Sequence, residues 1–290
     1  MGSIPHIHPG WGSWQPDVSG SPRCEVYVAH RRHLQDRHRT VLDGLETARR
    51  SRYRIAADRD RFTLATVLLR AVTGRATGVD ASAVVVDRTC DSCGDPHGGP
   101  RLPGTLLEAS ISHSGDVVAI ALTQAGRVGV DIEQVGAADH TDLVSTVCTG
   151  SEQRNVVAAT DFYAYWTRKE AVLKATGEGL GRSMTSIEVT PPGVSPSLVS
   201  VDRSTDVACR MSDIYVDGYV GAVAVMTTSH VSFDVFDAAA ILMAPLNPAR
   251  PSPPRADRAW SPYRLSRRHC CRNRQQPPVY RQARRQCCAG

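Results

Sequence analysis

Of the 34 lysines and arginines in this chain only two are lysines, Lys169 and Lys174, and both fall in Trp166-Thr-Arg-Lys-Glu-Ala-Val-Leu-Lys174. A chain so biased to arginine keeps lysine where a compact, mobile ammonium does what a planar guanidinium cannot. Asp161 to Thr176 is rich in Ala, Leu, Lys and Glu, has no interior Gly or Pro, and is stopped by Gly177 and Gly179. That composition predicts a helix. On it Trp166, Glu170 and Lys174 recur every fourth residue and share a face. Phe162, Tyr165 and Leu173 turn toward the core. An aromatic ring, a carboxylate and an ammonium therefore line up. Alone, they could equally be a solvent-exposed Glu–Lys pair worth about 0.2–0.5 kcal/mol.

A second stretch adds acids. Val128-Gly-Val-Asp-Ile-Glu133 alternates apolar and polar residues, the pattern of a half-buried strand. Val128, Val130 and Ile132 face one way; Gly129, Asp131 and Glu133 face the other. Carboxylates two apart on a strand lie roughly 6.5–7 Å apart and repel unless a cation sits between them. A hard divalent ion such as Mg²⁺, held by a few carboxylates and substrate phosphates, fits that demand. Gly129 leaves room for a ligand to approach the backbone. An exposed edge carrying solubilising acids is the other reading. A third stretch, Ile111-Ser-His-Ser-Gly-Asp-Val-Val-Ala-Ile-Ala-Leu122, reads as strand, tight turn and buried strand. It puts Ser112 and His113 at a strand end. His113 could be a phosphate ligand, a general base or an ordinary turn histidine.

Taken in order, Ser112-His113-Ser114, Val128–Glu133 and Trp166–Lys174 resemble the motifs of the Sfp-type 4′-phosphopantetheinyl transferase family, over roughly Val41 to Val225. The resemblance implies transfer of the phosphopantetheine arm of coenzyme A to a serine of an apo acyl or peptidyl carrier protein, releasing 3′,5′-ADP. It implies Mg²⁺ on Asp131, Glu133 and Glu170. It makes Asp131, Glu170 and Lys174 the catalytic residues, with Glu170 or a metal-bound water as base. His113 and Lys174 match groups that contact the coenzyme phosphates; Lys169 matches the lysine before the glutamate and, with Ser112, is expected among the coenzyme-binding residues. Arg49, Arg52 and Arg61 match basic positions near the 3′-phosphate. His97-Gly98-Gly99-Pro100 resembles a turn near the adenine, with Gly99 in a lysine's place. A phosphate contact from that position is therefore lost or moved to Arg101. The resemblance also implies a monomer and two pseudo-symmetric α+β halves with the site at their interface. Carriers of fatty-acid, polyketide or nonribosomal-peptide synthesis, including siderophore pathways, are all compatible.

Phosphoryl transfer needs positioning and charge neutralisation above all, which suits this residue set. A Mg²⁺-dependent nucleotide pyrophosphate hydrolase would use the same groups. Binding of nucleic acid through a basic tail is a third reading. Arg250 to Gly290 holds eleven arginines against one acid, Asp257, in a chain of net charge +5, so residues 1–249 are net acidic. The tail's Pro, Gln and Ser content predicts disorder, and no specific nucleic-acid role is expected of it.

The pattern predicts an α+β chain. Its parts are a loose segment over 1–24, an N-terminal half over 25–124, a C-terminal half with the acids over 125–230, and a disordered tail over 250–290. Expected elements include strands at Glu25–Ala29 and Ala83–Asp87 and helices at Val41–Tyr53, Asp58–Thr73 and near Leu143–Cys148. Strands follow near Ser186–Val189, Val207–Tyr215 and Tyr219–Thr227. Met1 to Arg23 lacks the basic and apolar regions of a signal peptide, and no run reaches about 20 apolar residues, the length of a membrane span. A coenzyme A substrate and the absence of a signal peptide point to the reducing cytoplasm. Among nine cysteines, Cys90-Asp-Ser-Cys93 with His97 has half the spacing of a zinc site. Cys148 and Cys209 are distant in sequence, so a reduced pair of loop thiols is expected. Cys270, Cys271, Cys287 and Cys288 suggest no disulfide framework.

Overall fold

The computed structural model describes residues 7–9, 22–91, 93–136 and 140–246. The Arg-rich tail with its four cysteines, and nearly all of the expected loose N-terminal segment, lie outside these residues.

The chain opens with β1 (Ile7–Pro9) and β2 (Arg23–His30), then α1 (Gly44–Arg52) and α2 (Ala56–Thr77). A hairpin follows, β3 (Glu108–Ser114) and β4 (Val117–Thr123). After β5 (Val128–Gln134) come α3 (Thr141–Val147), α4 (Gly150–Gln153) and α5 (Ala159–Thr176). The remainder is β6 (Ile187–Val189), β7 (Leu198–Val201), β8 (Arg210–Val216), β9 (Tyr219–Val225), β10 (Ser232–Asp237) and α6 (Ala239–Met243). The α+β expectation holds. Ala83–Asp87 differs: Ala81–Ala83 is a 3₁₀ turn, and Asp87 makes only a single bridge to Arg101.

The strands form a five-stranded sheet in the order β1-β10-β2-β4-β3, a three-stranded sheet β5-β9-β8 and a small β6-β7 pair. Three apolar layers hold them together. Leu64, Leu68 and Val72 of α2 pack on Tyr27, Ile120 and Leu122 of the first sheet. Val26, Val28 and Ala119 on its other face meet Val130, Ile132 and Val223 of the second. Tyr165, Val172 and Leu173 of α5 cover Ala222 and Ala224 on the second sheet's far side. The strands β4 and β9 are apolar along nearly their whole length because each is covered on both faces.

β10 runs parallel to β2, pairing Val235 with Val26, and so returns the chain to the first sheet. The C-terminal half expected over 125–230 ends before this strand. Among the described residues no helix is long and apolar enough to cross a membrane.

Candidate active site where the two sheets meet

β5 presents Val130 and Ile132 to the core between the sheets and turns Gly129, Asp131 and Glu133 toward α5. The helix ends where expected, at Gly177 with φ 74°, in the left-handed region that glycine tolerates. Close approach of α5 depends on Gly129. A Cβ there would lie 2.0 Å from the Ala171 carbonyl oxygen and 2.6 Å from the Ala175 nitrogen. The missing side chain therefore makes room for the helix, not for a ligand as the sequence suggested. With strand and helix this close, Lys174 Nζ reaches Asp131 Oδ1 at 2.7 Å and the Val130 carbonyl at 3.0 Å.

The hairpin strand β3 closes the other side. Its alternate residues Ser110, Ser112 and Ser114 accept hydrogen bonds from the Val130, Ile132 and Gln134 N–H groups at 3.0, 3.3 and 3.1 Å. Side-chain hydroxyls thus do what a backbone ladder does elsewhere, joining the edges of two different sheets. Two of them also donate onward. Ser112 Oγ donates to Asp131 Oδ1 at 2.8 Å, and Ser114 Oγ to Glu133 Oε2 at 2.6 Å. Ser112, expected among the coenzyme contacts, is buried, and its hydroxyl orients a carboxylate.

The electrostatics follow from burial. Burial pushes the Glu133 carboxyl up to about 8, reinforced by the Asp131 charge and opposed by Ser114 and Lys174. Burial and then Asp131 push Glu170 up to about 7, with Lys174 opposing. Burial brings the His113 imidazole down to about 4, helped by the positive charges of Arg61 and Lys174. Asp131 Oδ2 and Glu170 Oε1 are buried without a hydrogen-bond partner. Buried carboxylate oxygens left unpaired are costly, and they are the donor type a hard cation takes. The residues present therefore fit Mg²⁺.

The expected phosphate-contacting residues separate. Arg49 and Arg52 of α1 line a cavity of about 620 Å³ with Tyr53, Arg88 and the 95–97 loop. Arg49 donates to the Pro96 carbonyl at 2.7 Å and lies over the Phe62 ring. The helix that carries them is anchored from below by buried Arg70, which bonds Glu46 and Asp43. Arg61 lies elsewhere, under the hairpin: it donates to the Gly115 carbonyl at 2.6 Å, pairs with Asp58 and adds its charge to His113. Gly98 serves the loop. A Cβ on it would stand 2.9 Å from the Thr89 carbonyl oxygen, whereas Gly99 has open space around it. Arg101, the expected substitute for a lysine at Gly99, is spent on Asp87, Asp91 and the Thr89 carbonyl.

Lys169 corrects an expectation. Assigned to the coenzyme from sequence, it is wholly buried. Its Nζ donates to Glu152 Oε2 at 2.5 Å, the Val147 carbonyl at 2.8 Å and the Met184 carbonyl at 3.1 Å. All three ammonium protons are used inside the protein, tying α5 to α3, α4 and the turn before β6. Its neighbour Arg168 is likewise buried, paired with Asp213 at 2.6 Å. Sequence reading missed Glu152 and Asp213 as the partners of these cations, because partners 17 and 45 residues away leave no spacing signal. Ser110 and Ser114 were legible in principle. A serine at every second position of a strand marks one face that wants hydroxyls.

Comparison with known proteins identifies the family. Residues 127–224, from β5 through most of β9, match the 4′-phosphopantetheinyl transferase superfamily. The 4′-phosphopantetheinyl transferase HetI of Nostoc sp. is 30% identical over 199 residues, covering 66% of this chain and 81% of HetI. The phosphopantetheinyl transferase of Thraustochytrium sp. is 28% identical over 195 residues, 59% of this chain and 67% of its own length. The 4′-phosphopantetheinyl transferase AcpT of Salmonella typhi is 33% identical over 114 residues, 37% of this chain and 59% of AcpT. With the acids of β5 and the lysine of α5 inside the matched residues, and HetI 30% identical over most of its own length, the chain belongs to the 4′-phosphopantetheinyl transferase superfamily and is an enzyme of that kind.

Proposed function

We propose that this chain moves the 4′-phosphopantetheine arm of coenzyme A onto a serine hydroxyl of an apo acyl or peptidyl carrier protein, with Mg²⁺, releasing 3′,5′-ADP. The observation that carries the proposal is the pair of unpartnered carboxylate oxygens, Asp131 Oδ2 and Glu170 Oε1, beside Lys174. Asp131, Glu133 and Glu170 would hold Mg²⁺, which when bound neutralises charge on the pyrophosphate and at the attacked phosphorus. The protein's own groups divide the remaining work. Lys174, 22% exposed and able to leave Asp131, offers an ammonium to phosphate oxygens as negative charge builds on the leaving group. His113, neutral near pH 7, can donate one hydrogen bond to a phosphate without adding charge. Glu170, or a water that it orients, would accept the proton of the carrier serine. The cavity flanked by Arg49 and Arg52 has the size and charge for the nucleotide end of the donor.

The test is the intact mass of an apo carrier protein after incubation with the enzyme, coenzyme A and Mg²⁺, alongside an EDTA control. A gain of one phosphopantetheine that disappears with EDTA supports the reading. Coenzyme A consumed without any gain in carrier mass would replace it with pyrophosphate hydrolysis.

A further inference from the structure

The loop between α2 and β3 holds a second group of metal-ligating side chains, separate from the acids of β5. The sulfurs of Cys90 and Cys93 and a ring nitrogen of His97 all lie within 4.8 Å of one another. Cys93 Sγ stands 2.9 Å from His97 Nε2, and the two thiols are in hydrogen-bond contact. Among the described residues no other group of three His, Cys, Asp or Glu donors is so tight, the β5 acids included.

The backbone explains why these side chains converge. Gly94 follows Cys93 with φ 80°, and its N–H returns to the Cys90 carbonyl at 2.9 Å, which turns the chain back sharply. The Asp95 carbonyl accepts from both the Cys90 N–H at 2.8 Å and the His97 N–H at 2.9 Å. Gly98 N–H closes the loop on the Arg88 carbonyl at 2.7 Å. Arg101 clamps the base through Asp87 and Asp91. A Cys-x-x-Cys turn closed by glycine, with a histidine four residues on, is thus held by these main-chain bonds, and the Cys93 sulfur takes a further one from the Asp95 backbone.

We propose that Cys90, Cys93 and His97 bind one Zn²⁺ ion, which fixes this loop as a wall of the cavity beside Arg49 and Arg52. Two thiolates and an imidazole are the donor set that a borderline-soft, tetrahedral ion prefers. With metal–ligand bonds of about 2.0–2.3 Å, tetrahedral donors stand roughly 3.4–3.8 Å apart, so Cys93 and His97, now 2.9 Å apart, must open by somewhat under an ångström, and any pair nearer the 4.8 Å limit must close by about as much. Water completes the fourth position on the exposed side, where Cys93 lies. Both thiols release their protons to solvent on binding. The consequence reaches the cavity because Asp95, Pro96 and His97 line it, and Arg49 holds the Pro96 carbonyl. This inference does not depend on the transferase reading, and the sequence expectation of a plain thiol pair is revised by it. The missing fourth cysteine argued against a site only if the site had to be closed.

Cobalt titration of the full-length, reduced, metal-stripped chain tests it. One equivalent of Co²⁺ should produce a thiolate-to-cobalt charge-transfer band in the near ultraviolet, bleached by an equivalent of Zn²⁺. Cys93→Ser should abolish the band, with an unchanged far-ultraviolet circular dichroism spectrum since the side chain is exposed. His97→Ala should weaken cobalt affinity at least tenfold. A chain with Cys270, Cys271, Cys287 and Cys288 all changed to serine should keep the band. No band, a band that survives Cys93→Ser, or a band lost only with the tail cysteines would overturn the proposal. Hydrogen exchange supplies the second readout. Zn²⁺ should slow exchange across 88–98 in the natural chain and leave Cys93→Ser unaffected; equal exchange with and without Zn²⁺ would refute the fixed wall.

Discussion

Replacing Lys169 with methionine separates a coenzyme contact from an internal clamp. The change keeps the length of the side chain and deletes its ammonium. Glu152 is left with its side chain only 3% exposed and no cation. Removing one partner of a buried pair costs about 3–5 kcal/mol. Here the lower end applies, because Glu152 keeps two backbone donors, Thr149 N–H at 2.7 Å and Val189 N–H at 2.9 Å. The carbonyls of Val147 and Met184 also lose their donor. A loss of about 3 kcal/mol is expected against a total of about 5–15 kcal/mol, so the variant still folds. Adding Glu152→Gln removes the stranded charge and should restore about half of that loss, a coupling that only a direct pair produces. Urea denaturation of the four proteins measures it. Steady-state kinetics with coenzyme A provides the contrast: per folded molecule, Lys169→Met should keep its KM within about threefold, far inside the factor of ten that 1.4 kcal/mol represents. A stability change under 1 kcal/mol together with a KM for coenzyme A raised tenfold would refute the clamp and return Lys169 to the phosphates.

Three further outcomes follow from the site. Gly129→Ala drives a methyl into the Ala171 carbonyl, so α5 and β5 must part; a loss of about 3 kcal/mol and a weaker Mg²⁺ response should appear together in thermal unfolding, and a neutral substitution would show that the close approach is not required. Ser114→Ala leaves the Gln134 N–H unpaired and Glu133 without its donor, at a cost of about 1–3 kcal/mol; denaturation should show this loss with a lower Mg²⁺ affinity, and an unchanged affinity would deny Ser114 its orienting role. Metal binding should also depend on pH. With Glu133 raised to about 8 and Glu170 to about 7, both hold protons at low pH and must give them up to a cation, so affinity should rise with pH through that window. Calorimetry in buffers of different ionisation enthalpy should register about one to two protons released near pH 7, and a heat independent of buffer would contradict the assignment.

The sequence made the acids and Lys174 legible because each sits in a regular element whose period is written in the chain. Alternation in Val128–Glu133 places Asp131 and Glu133 on one face, and a four-residue spacing places Glu170 above Lys174. The elements came through for the same reason: α5 and β9 are long, strongly patterned and bounded by glycines or polar turns. What was hidden depends on packing between elements. β10 is a short strand of mixed burial, and nothing local says that it pairs in parallel with β2, some two hundred residues earlier. Lys169 and Lys174 look equivalent in the motif, yet they lie five positions apart on the helix and so face different partners. One meets the buried carboxylate of Glu152, and the other opens toward the site. The serines of β3 show how the two kinds of information combine. Their alternation is local, but its meaning appears only when β5 is laid beside them. Each hydroxyl then accepts from the strand and, at Ser112 and Ser114, donates to an acid. At Ser112 and Ser114 the hydroxyls that hold the two sheets edge to edge are therefore the same hydroxyls that aim the carboxylates. A substitution that loosens this seam must also misplace the acids, so stability and metal affinity in this protein should fall together along β3, while at Lys169 stability should fall alone.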